Sequence, residues 1–140
     1  MTLKRYEQFP HTADIGIRVF GSDLKELFSN AAFALFDTVA DIEGLTTSVE
    51  EKIKVSALDH EELLVAWLDE LLYLFYTRSL IFCKFDIEFI TETGLKGVAY
   101  GRPIGQNRNR LKMEVKAVTY NDLKIRRTEN GFVVEMVFDV

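Results

Sequence analysis

Cysteine occurs once in the 140 residues, at Cys83, and a single thiol excludes an intramolecular disulfide. Its setting in an apolar, strand-like run predicts a buried, inert thiol of the kind found in the cytosol. Histidine occurs twice, at His11 and His60, too rarely for a histidine-rich metal centre. No apolar run reaches the ~18 residues that suggest a membrane span. The opening Met1-Thr2-Leu3-Lys4-Arg5-Tyr6-Glu7 lacks the apolar stretch of a secretory leader. There is no phosphate-cradling P-loop, no G-x-G-x-x-G, no H-E-x-x-H and no G-x-S-x-G. Cations are outnumbered, 17 Lys and Arg against 22 Asp and Glu, for a net charge of −5. That balance argues against nucleic-acid binding over the whole surface, although an acidic protein can dock on a basic enzyme. These absences lead to the expectation of a soluble cytoplasmic protein with no common enzyme signature.

Apolar residues are plentiful: 48% hydrophobic and 12% aromatic, enough for the core of one domain spanning residues 1–140. Tyr6 to Phe9 reads as a short strand ending at Pro10, which has no N–H for a sheet. Ile15, Ile17 and Val19 alternate with Gly16, Arg18 and Phe20, the period of a second strand. Asp23 and Glu26 have capping-box spacing ahead of a helix. Leu24, Leu27, Phe28, Ala31, Ala32, Leu35, Phe36 and Val39 give that helix one apolar stripe. Val49 to Ser56 alternates as a half-exposed strand. Asp59 and Glu62 repeat the cap before a second helix that runs to about Arg78, with Glu62, Asp69 and Tyr76 opposite its core face.

The remainder reads as sheet. Strands are predicted over Phe82 to Glu92 and Leu95 to Tyr100 around Thr93-Gly94, over Glu114 to Tyr120, and over Leu123 to Glu129 and Phe132 to Phe138 around Asn130-Gly131. A two-residue Asn-Gly turn would set Leu123 opposite Phe138, Ile125 opposite Met136 and Arg126 opposite Glu135. The expected fold is α+β: a mainly antiparallel sheet of about eight strands with two helices on one face or end.

Several residues could carry chemistry, and each also has a plain structural reading. His11 and Asp14, three residues apart in a loop, suit a metal site or a base with its orienting acid. The plainer reading is a polar turn in which Asp14 accepts backbone N–H bonds. Asp139, one residue from the end of the chain, is either a solvated terminal side chain or part of a hard-cation site with the terminal carboxylate. Lys116, between Val115 and Ala117, either covers apolar surface with its stem or aims a charge at a phosphate or carboxylate. Asp69 and Glu70 interrupt an apolar helix, as a solvated face or as a partner contact. Arg102, Arg108, Arg110 and Lys112 form a basic loop that is either solvated or in contact with RNA phosphates or an acidic patch.

Six segments, in order along the chain, resemble those of the archease family. They are His11-Thr12-Ala13-Asp14-Ile15-Gly16, Asn30 to Asp37, Leu63 to Tyr73, Gly97 to Gly101, Glu114-Val115-Lys116-Ala117-Val118-Thr119-Tyr120, and the final Asp139-Val140. The resemblance implies a non-enzymatic cofactor for the tRNA-splicing RNA ligase, which joins 3′-phosphate or 2′,3′-cyclic-phosphate ends to 5′-hydroxyl ends. It implies that the protein promotes guanylylation and repeated turnover of that ligase and broadens its nucleotide choice. It also implies a divalent metal, calcium with magnesium as the alternative, held by Asp14, Asp139 and a main-chain or terminal oxygen of Val140. Lys116 would act on the partner, and tRNA would be met only through the ligase; on their residue chemistry alone, His11, Asp69 and Glu70 are candidates for a supporting part. Two other readings stand beside it: a small metal-dependent enzyme using His11 and Asp14, and a chaperone-like binding module, which would need a large exposed apolar patch.

Overall fold

The computed structural model describes residues 4–119 and 122–140. Eight strands and two α-helices follow in the order β1 (Tyr6–His11), β2 (Asp14–Gly21), α1 (Leu24–Val39), β3 (Val49–Ser56), α2 (His60–Arg78), β4 (Leu80–Ile90), β5 (Gly94–Pro103), β6 (Ala117–Thr119), β7 (Ile125–Thr128) and β8 (Gly131–Asp139). A 3₁₀ segment, Gly105–Arg110, occupies the basic loop.

Both helices begin as their sequences predict. Asp23 Oδ1 accepts the Glu26 N–H at 2.8 Å, and Asp59 Oδ1 accepts the Glu62 N–H at 2.8 Å. Each glutamate reaches back to the N–H preceding the cap, Glu26 to Ser22 at 2.9 Å and Glu62 to Leu58 at 3.3 Å. No glycine is available where α2 stops, and Ser79 takes the left-handed conformation, φ 54°, ψ 46°.

The strands form two antiparallel sheets rather than the single sheet expected. One has five strands, in the order β1-β2-β8-β6 with β7 on β8 beside β6; the other is β3-β5-β4. The reason lies in α1. Beyond its first turn α1 buries Leu27, Phe28, Ala31, Ala32, Ala34, Leu35, Phe36 and Val39, and it touches both β2 and β4. α2 likewise touches β6 and the three strands of the smaller sheet. An apolar helix pair that needs cover on two sides is satisfied by one sheet on each side. Trp67, fully buried, ties the pair together by donating its indole N–H to the Phe28 carbonyl at 3.0 Å.

Several strand boundaries, and one register, depart from the pattern. β1 runs through Pro10 to His11, because an edge strand bonded on one side tolerates the missing N–H. β6 begins only at Ala117, since Lys112 and Met113 both donate to the Val39 carbonyl and Val115 offers its carbonyl to the Tyr76 hydroxyl. The predicted end of β6, Tyr120, lies outside the described residues. The β7–β8 hairpin closes on Thr128 and Gly131, so Ile125 meets Val134 and Arg126 meets Val133. The register has slipped by two residues, which keeps the paired side chains on their expected faces but gives Ile125 and Arg126 different neighbours. Gly131 explains the slip: it holds φ 138°, and a Cβ there would sit 2.2 Å from the Gly21 carbonyl oxygen.

Candidate functional site

The site is built at one end of the five-stranded sheet. β1 and β2 are joined by Thr12-Ala13, with His11 paired to Asp14 and Ala13 in the left-handed region at φ 61°. From there β2 runs antiparallel to β8, the outermost pair being Ile15 with Phe138. One step further out stand Asp14 and Asp139. On β2, Ile15, Ile17 and Val19 face the core; on β8, Val134, Met136 and Phe138 do. Strand alternation therefore puts Asp14 and Asp139 together on the open face, away from the helices. Asp14 is half-buried and Asp139 exposed.

β6 completes the row on the other side of β8. Ala117 pairs with Asp139, and the Lys116 N–H donates to the Asp139 carbonyl at 2.7 Å. Lys116 is exposed, and its ammonium has no hydrogen bond or ion pair among the described residues. His11, Asp14, Asp139 and Ala117 thus form one lateral row across four strands, with Lys116 and Val140 at its margin. The turn at His11 and the terminus at Asp139 have become neighbours, a juxtaposition invisible to local spacing.

The donor set fits a hard divalent cation. Two aspartates on adjacent strands supply carboxylate oxygens, and the main-chain oxygens of Val140 come next in the chain. Oxygen donors of this kind would suit a hard cation rather than zinc. Among the described residues no three His, Cys, Asp or Glu side chains cluster to complete a shell. His11 Nδ1 lies 3.9 Å from Asp14 Oδ2, too far for the hydrogen bond of a base held by its acid.

Asp69, exposed on α2, borders with Leu58, Glu62 and Thr93 a groove that none of the row residues line; partial burial raises its carboxyl above the ordinary range. The basic loop is partly consumed in structure. Arg102 bonds to Thr46, and Arg110 Nη1 donates to the carbonyls of Asp41 and Glu43, each at 3.0 Å, fastening the segment between α1 and β3.

Behind the aspartates the open face carries an ordered pattern that sequence reading missed. The Phe9 ring covers Gly16, where a Cβ would come within 2.3 Å of it. Next comes a charge ladder, Glu7–Arg18–Glu135, in which Arg18 is bonded to Glu7 and lies 2.6 Å from Glu135. Those bonds hold the Glu7 carboxyl below the ordinary carboxylate range, Arg18 contributing most and Lys4 next. The only local signal was Arg18 on the polar side of an alternating strand; its partners lie in β1 and β8. A groove of about 780 Å³ follows at the far end of the face, lined by Phe20, Arg126, Phe132 and Val133 but by none of the row residues. The aspartate row lines neither this groove nor the one beside Asp69.

Comparison with known proteins gives a consistent picture. The family model described as the archease protein family matches residues 6–140. A protein archease of Pyrococcus furiosus is 39% identical over 142 residues, covering 99% of this chain and 100% of its own. A protein archease of Methanosarcina mazei is 38% identical over 141 residues, covering 98% of this chain and 97% of its own. The solution structure of a Methanobacterium thermoautotrophicum protein superposes with a TM-score of 0.87 at 32% identity, covering 99% of this chain and 100% of that one.

Proposed function

The chain belongs to the archease protein family, and on that premise we propose that it is a non-enzymatic activator of the tRNA-splicing RNA ligase. In this reading it promotes guanylylation of the ligase and repeated rounds of joining 3′-phosphate or 2′,3′-cyclic-phosphate ends to 5′-hydroxyl ends, and it broadens the nucleotide accepted. The observation that carries the reading is that Asp14 and Asp139 stand side by side at one end of the sheet, with Lys116 bonded beside them.

An edge of this form suits insertion into a partner's cleft better than enclosure of a substrate. Asp14, Asp139 and the main-chain oxygens of Val140 would hold a divalent cation, calcium by preference. A cation held there would draw phosphate oxygens. Among the described residues no third acidic, histidine or cysteine side chain clusters with the pair, which would leave positions for oxygens from the partner or its nucleotide. Lys116 adds a mobile, strongly hydrated charge at the margin of the row, placed to meet a phosphate. Ala117 and Thr119, small side chains on the same edge strand, leave the approach unobstructed. The protein's role is to bring these groups to the ligase in fixed geometry, positioning rather than reacting.

The test is a guanylylation assay with purified cognate ligase, GTP and this protein, scored as the rate of covalent guanylate transfer to the ligase. Acceleration by wild type, with no turnover of GTP or RNA ends by this protein alone, supports the reading. Turnover by the isolated protein, abolished by His11→Ala, would support the metal-dependent enzyme instead.

A further inference from the structure

α2 packs Leu63, Leu64, Trp67, Leu68, Leu71, Leu74 and Phe75 into the core. Its opposite side keeps Glu62, Asp69, Tyr73 and Tyr76 exposed. At 100° per residue these four fall within about 60° of one another, so they form a single stripe. Tyr73 is 60% exposed and Tyr76 48%, large aromatic surfaces to leave in water.

Tyr76 is held rigidly. Its hydroxyl donates to the Val115 carbonyl at 2.7 Å, and its ring stands edge-on to Phe75 at 5.0 Å. Asp69 accepts no hydrogen bond and no ion pair among the described residues, although it is partly desolvated. Glu114 lies close enough for its charge to act on the Tyr76 hydroxyl. The cation at the end of the helix, Arg78, is turned away to Glu51 at 3.0 Å. The stripe is therefore acidic and aromatic, with its own cation otherwise engaged.

That combination repels nucleic acid and matches one kind of side chain. A guanidinium can stack on a tyrosine ring while its N–H groups bond a carboxylate, and both contacts strengthen as water leaves. Exposed tyrosines held in place are also typical anchors of protein interfaces. The Tyr76–Val115 bond sets the C-terminal end of the stripe one residue from Lys116, at the margin of the aspartate row.

We propose that the exposed stripe of α2, Asp69–Tyr73–Tyr76 with Glu114 beside it, is a docking surface for an arginine-bearing face of the partner ligase. The proposal rests on the activator reading above and adds to it: the stripe supplies affinity, whereas the aspartate row and Lys116 supply activation.

The experiment measures, for wild type, Tyr73→Ala, Asp69→Lys and Lys116→Ala, the Kd for purified cognate ligase by calorimetry and the guanylylation rate at saturation. Melting temperatures near wild type are expected for both stripe variants, because both side chains are exposed. Tyr73→Ala and Asp69→Lys should each raise Kd by about tenfold or more while leaving the saturated rate within about twofold. Lys116→Ala should show the reverse split. Stripe variants that bind like wild type overturn the docking surface while leaving the activator reading intact. A wild-type protein that neither binds nor accelerates the ligase overturns both.

Discussion

Asp14 and Asp139, drawn from near opposite ends of the chain, stand one step beyond the Ile15–Phe138 pair on the same open face of neighbouring antiparallel strands. Side by side, the two carboxylates would offer their oxygens to one cation. Asp14→Ala and Asp139→Ala should each lower ligase activation by at least about 10- to 100-fold, the scale set by disturbing a metal site's support. The double variant should be little worse than either, because the pair acts as a unit. Calcium titration by calorimetry should give one site in wild type and none in the variants; equal binding in all of them would contradict the shared site.

Lys116 should separate function from folding. Its exposed head has no partner among the described residues, so Lys116→Ala should cost no more than ~1 kcal/mol of stability. Activation should fall while the melting curve stays in place. A collapsed melting temperature would assign the residue to the fold instead.

The charge ladder behind the site predicts a pH dependence. Arg18 and then Lys4 hold the Glu7 carboxyl below its ordinary value. A depressed folded pKa contributes stability that is present above the unfolded pKa and is lost as pH falls through the folded value. Glu7→Gln should therefore melt earlier than wild type at neutral pH, and the gap should close in acid. A difference in melting temperature that stays constant across the titration would count against the ladder.

Gly131 should resist substitution. Its φ is 138°, and an added Cβ would lie 2.2 Å from the Gly21 carbonyl oxygen. Gly131→Ala should therefore cost about 1–3 kcal/mol. Denaturant unfolding checks this, and a neutral result would mean the hairpin can adopt the Asn130-Gly131 turn that its sequence suggests.

Much of the fold was legible because the signals were local. Both helices start on the aspartates that their capping spacing marks, and Val49–Ser56 forms the strand its alternation predicts. The partition into two sheets was not legible, because strand alternation reveals a buried face but not which neighbour covers it. The β7–β8 register failed at Gly131, whose backbone conformation outweighed the Asn-Gly preference. At the site, the family resemblance supplied the residues, whereas residue spacing left each with a plain alternative. Their meeting depends on the β2–β8 and β6–β8 ladders, contacts between segments far apart in sequence. Asp69 and Glu70 were singled out as interruptions of an apolar helix; Asp69 lies on a surface separate from the row they were expected to support.

The most direct test of the account is single-turnover guanylylation of the cognate ligase with wild type, Asp14→Ala and Asp139→Ala at matched, saturating concentrations. The account predicts acceleration by wild type and a rate at the level of ligase alone for either variant, with all three proteins folded. Acceleration by the aspartate variants equal to that of wild type would contradict it.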